Sequence, residues 1–96
     1  MSGLERRGGE RVATRVSLQA QAGGRTFLAR LYDVSPTSCQ IDCSAAYVLS
    51  RGDKIVFRFS EEVSMPGKVA WRRGARAGVQ FGMALPEEAI ARHLNL

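Results

Sequence analysis

Two short segments of the sequence contain the side chains best suited to hold an anion and a base. Residues 5–11 contain three arginines separated by Gly-Gly-Glu, and residues 33–38 form a turn with Asp and Ser. A guanidinium pairs with phosphates and with the guanine edge, whereas an Asp/Ser turn presents acceptors to the N–H edge of a base. The candidate residues for binding a guanine nucleotide are Arg6, Arg7, Arg11, Asp33, Ser35 and Ser38.

The sequence shows no arrangement of residues typical of an enzyme active site. We find no paired catalytic carboxylates, no metal cluster and no nucleophile beside a base. Cys39 and Cys43 are the only cysteines and His93 is the only histidine, which is too few for a four-ligand structural zinc site. We therefore expect buried or half-buried reduced thiols, and a protein that is not an enzyme and holds no metal or cofactor.

The composition indicates one basic globular domain. The chain has 96 residues, 45% of them hydrophobic, and a formal net charge of +5. Arginine supplies 12 of the 14 cations, a bias that favours planar anion recognition, although an arginine-rich genome gives the same bias. No apolar run has the length of a signal peptide or a membrane span, so we expect a cytoplasmic protein that does not insert into a membrane.

Hydrophobic alternation predicts a chain made mostly of short strands. Residues 1–13 are polar and glycine-containing and are interpreted as a flexible arginine-rich arm, and residues 14–96 as the single folded domain. Gly23-Gly24 marks a hairpin turn, and Pro86-Glu87-Glu88 opens a short helix. The predicted strands are residues 15–22, 26–32, 39–43, 54–60, 67–73 and 79–84.

These elements predict an all-β fold, a small antiparallel barrel with a short C-terminal helix over one end. Val69 and Trp71 are expected on one face of their strand. In the last strand, Val79, Phe81 and Met83 are expected to share a face.

The same segments resemble the PilZ domain family of bacterial cyclic di-GMP receptors. Arg7 and Arg11 fit the family's RxxxR motif, and Asp33 and Ser35 fit its [D/N]xSxxG turn. The stretch from Gly67 through Phe81 is similar to the family's closing hairpin. The resemblance spans nearly the whole chain and implies a six-stranded antiparallel barrel with a C-terminal helix.

The resemblance also implies a role for each candidate residue. Arg7 and Arg11 would grip the cyclic dinucleotide, with Arg6 as an auxiliary contact. Asp33 and Ser35 would receive a guanine, although an Asp/Ser turn can also simply end a strand. Two further candidates are Arg15, which fits a second RxxxR with Arg11, and Trp71, which is either a core or rim aromatic or a stacking wall for a base.

Position 38 departs from the family pattern, because a serine replaces the motif glycine. If that position needs a left-handed backbone, serine costs about 1–2 kcal/mol there. Ser38 would then weaken binding about five- to thirtyfold.

The sequence therefore predicts a cyclic di-GMP receptor whose arm changes conformation on binding and signals to a partner protein. One alternative is a divergent PilZ-like domain that binds no nucleotide and acts through protein contacts alone. A second is a small basic barrel for nucleic acid, which we do not favour because most aromatics fall on core-facing positions. We expect a monomer or a weak dimer.

Overall fold

The computed structural model describes residues 12–42, 49–61 and 63–86. Within these ranges all the regular structure is β, and no helix is long and apolar enough to cross a bilayer. The predicted C-terminal helix and Cys43 lie outside the described residues. The strands are β1 (Val12–Ala13), β2 (Ser17–Ala22), β3 (Arg25–Val34), β4 (Ser38–Asp42), β5 (Lys54–Arg58), β6 (Ser64–Arg73) and β7 (Arg76–Phe81).

Six of these strands close into an antiparallel barrel, which confirms the predicted fold class. The hydrogen-bonded order is β3-β2-β5-β6-β7-β4, and a β3–β4 pairing closes the ring. The two-residue strand β1 is added to the end of β3. The described part of the predicted arm, Val12 and Ala13, is therefore paired with the barrel.

Alternating burial shows why these sequences form a barrel. In β2 and β5 every second residue is buried, so one face of each strand fills the interior while the other meets solvent. Phe57 and Phe81 meet edge to face in the core, with ring centroids 6.1 Å apart. Most of the polar and glycine residues discussed below lie on the outer wall of this closed structure, whereas Ser35 is buried.

The largest differences from the predicted strand boundaries, three residues each, are in β6 and β7. Strand β6 begins at Ser64 rather than at residue 67, because residues 64–66 continue the pairing with β5. Strand β7 begins at Arg76, directly after the two-residue turn at Gly74, whose φ is 60°. It ends at Phe81, so Met83 is outside the strand and 61% exposed, and the expectation that it shares a face with Val79 is wrong.

Two β-bulges change which residues reach the outer wall. In β3 the register shifts between Leu31 and Asp33, so Asp33 pairs with Gln40 while Val34 enters the core. In β6 the register shifts between Val69 and Trp71. An extra residue reverses the side-chain alternation that follows it, so both bulges move a candidate site residue outward. The expectation that Val69 and Trp71 share a face is therefore wrong.

Replacing Gly67 by alanine is expected to destabilise the barrel. A Cβ at Gly67 would lie 2.8 Å from Val79 Cγ1 and 2.9 Å from the Gln80 carbonyl oxygen, so strands β6 and β7 would have to separate locally. We expect a loss of about 1–3 kcal/mol in urea unfolding. Gly82→Ala is the matched control, because its Cβ meets Pro66 only at 3.5 Å. Equal stability of the two variants would contradict the close approach of the strands.

Candidate functional site

Ser35 organises the turn between β3 and β4. Its side chain is 2% exposed, and its Oγ accepts hydrogen bonds from the backbone N–H of Ser38 (3.1 Å) and of Thr37 (3.3 Å). The Ser35 N–H donates to the Ser38 carbonyl at 2.8 Å. Such side-chain bonds to the local backbone are what make serine a turn residue. Ser35 therefore fixes the shape of the turn from inside.

The same turn is also held from outside by the end of β7 and the chain that follows it. The N–H of Phe81 donates to the Thr37 carbonyl at 2.8 Å, and the N–H of Leu85 donates to the Pro36 carbonyl at 2.6 Å. Leu85 is buried, which anchors this segment in the core. The turn is thus bonded to two sequence-distant positions, and its geometry does not depend on residues 33–38 alone.

Replacing Ser35 by alanine is expected to lower stability by about 1–3 kcal/mol, because two partly buried N–H groups lose their acceptor. The matched control is Ser60→Ala, which removes a hydroxyl that accepts from Val63 N–H at 3.1 Å in another turn. Urea unfolding measures both losses. Only Ser35→Ala should also alter the amide spectrum of residues 33–42. Identical spectra for Ser35→Ala and the parent would contradict the organising role.

Asp33 lies half-buried on the outer wall, where its carboxylate is oriented by a neighbouring strand. The Gln40 side-chain N–H donates to Asp33 Oδ2 at 2.9 Å, and the two residues are Cα partners. A carboxylate offers about four acceptor positions, so orientation by one amide is compatible with further donors. Asp33 is thereby presented as an acceptor at a fixed place beside the turn.

Ser38 is the first residue of strand β4 and pairs with Gln80 of β7. Its backbone is extended, a conformation that serine adopts without strain. The sequence-based cost of a left-handed serine therefore does not apply to this structure. The Oγ atoms of Ser38 and Ser35 lie 3.2 Å apart, so Ser38 also supports the turn.

The chain enters the described region directly beside this turn. Val12 pairs with Val34 and Ala13 pairs with Asp33, at the start of the part of the chain that the structure describes. Arg6, Arg7 and Arg11 lie outside the described residues. Arg15 is exposed in the connection between β1 and β2, rather than within the first strand as expected.

A groove of about 360 Å³ runs along the outer wall over β4, β7 and β6. Its wall is Trp71, 37% exposed, and its floor under the indole is Gly78, the strand partner of Trp71. A Cβ at Gly78 would overlap Nε1 and Cε2 of the indole. Only glycine lets the ring lie flat there. We call this the ligand groove, and its outer-wall lining includes Ser38, Gln40, Ala70, Trp71, Gly78 and Gln80.

The arginines of the β6–β7 hairpin are held rather than freely solvated. Arg76 lies over the Tyr32 ring with Cζ 3.8 Å from its centroid, and Arg73 lies 5.8 Å from the Trp71 ring. The Arg72 guanidinium donates to the Leu49 carbonyl at 3.0 Å. Arg73 and Arg76 therefore supply oriented positive charge beside the aromatic wall.

The structure brings three of the candidate residues onto one wall and places a fourth behind it. Asp33, Ser38 and Trp71 face outward, whereas Ser35 is buried in the turn. Sequence reasoning missed Gln40 and Gly78. The signal for Gly78 was a glycine at an outward position of a strongly alternating strand, which indicates a close approach.

The fold and this wall are those of a small binding module: a closed barrel with an oriented carboxylate, a tryptophan-walled groove and a short N-terminal strand paired beside the turn. The sequence model of the PilZ domain matches residues 5–96, so the chain belongs to the PilZ domain family. PilZ domains are binding and adaptor domains that generally bind cyclic di-GMP. A comparison with curated proteins gave no match.

Proposed function

We propose that this chain is a cyclic di-GMP receptor that passes the signal to a partner protein and performs no chemistry itself. The observation that carries the proposal is the pairing of β1 with the end of β3. Val12 follows Arg11 directly and pairs with Val34, between Asp33 and Ser35. The residue covalently joined to Arg11 is therefore a strand partner of the segment that presents Asp33.

The chemistry of the wall suits a guanine dinucleotide. The Asp33 carboxylate is complementary to the N–H edge of guanine, and the flat indole of Trp71 offers a stacking surface for a base. The phosphodiesters and the guanine O6/N7 edge require guanidinium forks, which we assign to Arg7 and Arg11, with Arg6 and Arg15 as auxiliary contacts. Ser35 and Ser38 act by holding the turn.

We infer that the ligand orders the N-terminal segment against the barrel. Fixing the backbone of one residue costs about 1–2 kcal/mol of conformational entropy. The charged contacts between the ligand and the N-terminal segment must offset this cost. A nucleotide clamped between residues 5–11 and the turn alters the surface offered to a partner.

The proposal is tested by titration calorimetry with cyclic di-GMP and, as the control ligand, cyclic di-AMP. We expect saturable binding of the guanine compound at micromolar or lower concentration and at least about tenfold weaker binding of the adenine compound. Amide exchange over residues 5–13 should slow in the complex. Absence of heat, together with unchanged amide resonances at saturating ligand, would favour a domain that acts through protein contacts alone.

Replacing Ser38 by glycine is expected to change affinity by less than about threefold, because the extended backbone leaves no strain to relieve. Stability should fall by about 0.5–1 kcal/mol, since glycine loses more conformational freedom on folding. Calorimetry and urea unfolding measure the two quantities. A tenfold gain in affinity would show that the bound backbone at position 38 is left-handed after all.

A further inference from the structure

The outer wall has a second groove, of about 520 Å³, over β5, β6 and β7. Its lining is largely apolar, with Val56 38% exposed beside Pro66, Ala70 and Gly82. The outer face of a strand in a small barrel is normally polar, so a contiguous apolar stretch with a polar rim is a candidate docking surface. We call this the apolar groove.

Two lysines border the apolar groove, and their placement is unfavourable in the isolated chain. Lys54 and Lys68 are the only lysines in the sequence, and they are direct Cα partners on β5 and β6. Like charges directly opposite each other on neighbouring strands repel. The other opposed cations, Arg73 and Arg76, each lie over an aromatic ring. No acidic residue belongs to the groove's lining in the described ranges.

We propose that the apolar groove is the docking site for a segment of a partner protein in which carboxylates stand next to apolar side chains. The carboxylates would neutralise the lysine pair, and the apolar side chains would cover Val56 and Pro66. A nucleotide fits less well, because lysine is a point charge without a fork and the outward-facing lining offers no aromatic ring for stacking. The proposal rests on the adaptor role proposed above, but not on nucleotide binding.

The docking site adjoins the ligand groove. Ser38, Gln80, Lys68 and Lys54 form one lateral row across β4, β7, β6 and β5. Ala70 and Gln80 line both grooves. A partner segment and a nucleotide would therefore lie one strand apart on the same wall.

The test uses three synthetic peptides of equal length on the ¹⁵N-labelled full chain, without nucleotide and at low ionic strength. One peptide alternates Glu with Leu, one alternates Lys with Leu, and one alternates Glu with Ser. We expect saturable amide shifts at Val56, Lys68 and Gly82 only with the Glu–Leu peptide. Lys68→Glu should weaken its binding at least about tenfold.

The matched control is Arg58→Glu, which makes the same charge change on the outer face of β5 but outside the groove. It should weaken binding less than about twofold, since exposed charges at a distance are screened. A charge-neutral variant, Gly82→Val, should also weaken binding. Its side chain would lie beside Pro66 and occupy part of the apolar groove. Unchanged melting temperatures would confirm that the variants are folded.

Several outcomes would overturn the proposal. Equal losses in Lys68→Glu and Arg58→Glu would indicate general electrostatic attraction, and shifts elsewhere would move the site. Shifts at the groove with vesicles of phosphatidylcholine and phosphatidylglycerol but with no peptide would assign it to a membrane. Shifts that appear on concentrating the protein alone would assign it to a second copy. Titration of the parent chain and the same variants with cyclic di-GMP tests the receptor function separately. Absence of peptide binding to the parent chain, with nucleotide binding retained, would overturn only the docking proposal.

Discussion

Replacing Arg7 and Arg11 together by alanine is expected to weaken cyclic di-GMP binding by at least about a hundredfold. Each guanidinium would make charge-assisted hydrogen bonds, worth about 1.5–3 kcal/mol apiece, so the pair contributes about 3–6 kcal/mol. That energy corresponds to about two to four decades in affinity. The barrel core is untouched, so the unfolding midpoint in urea should not move. Calorimetry on the double variant measures the loss.

The control for net charge is Arg58→Ala, on strand β5 and three strands from β4 around the barrel. It should reduce affinity less than about twofold. Arg7→Lys with Arg11→Lys then separates fork from charge, because lysine keeps the charge without the paired donors. Full affinity in the lysine variant would show that the two residues act only through their positive charge and not through paired hydrogen bonds. Full affinity in the alanine variant would remove them from the site.

The Trp71–Gly78 pair is the second place where a small change should have a large effect. Gly78→Ala puts a Cβ where the Trp71 indole lies, so the indole must move away from its position over Gly78. Stacking of a base on an aromatic side chain is worth about 1–3 kcal/mol, and we expect Gly78→Ala to lose about five- to hundredfold in affinity. Trp71→Ala should lose a similar amount, and the double variant should lose no more than either, because both remove one platform.

Tryptophan fluorescence checks this directly, since Trp71 is the only tryptophan in the chain. In the parent, the nucleotide should quench the emission. In Gly78→Ala the free protein should already have shifted emission, and the nucleotide should change it little. Gly82→Ala, whose Cβ meets only Pro66, should behave as the parent. If the affinity losses of the two single variants add in the double variant, Gly78 contributes to binding in some way other than by making space for the Trp71 indole.

The barrel was predictable from the sequence because β2, β4 and β5 follow a strict inside–outside alternation. Leu18 and Ala20 in β2, and Ile55 and Phe57 in β5, are buried as the period of two requires. The prediction failed at the start of β6, which was placed at residue 67. Pairing with neighbouring strands extends β6 further back, because Pro66 pairs with Val56 and its carbonyl accepts from Gly82 N–H at 2.8 Å.

The candidate site was predictable in type but not in orientation. The residue types in the turn, and their likeness to a family motif, identified Asp33 and Ser35. Alternation alone would have pointed Asp33 and Trp71 into the core, since each is two residues from a buried Leu31 or Val69. A β-bulge cannot be recognised from hydrophobic alternation in the sequence. The outward orientation of Asp33 and Trp71 is therefore known only from the strand pairing in the structure.

The hydrogen bond from Leu85 N–H to the Pro36 carbonyl also links the turn that carries Ser35 to the interior of the barrel. Because the Leu85 side chain is buried, the peptide unit that contacts the turn is itself fixed by core packing. The segment after β7 therefore acts as a brace, and the position of the turn depends on how well the core is packed at Leu85.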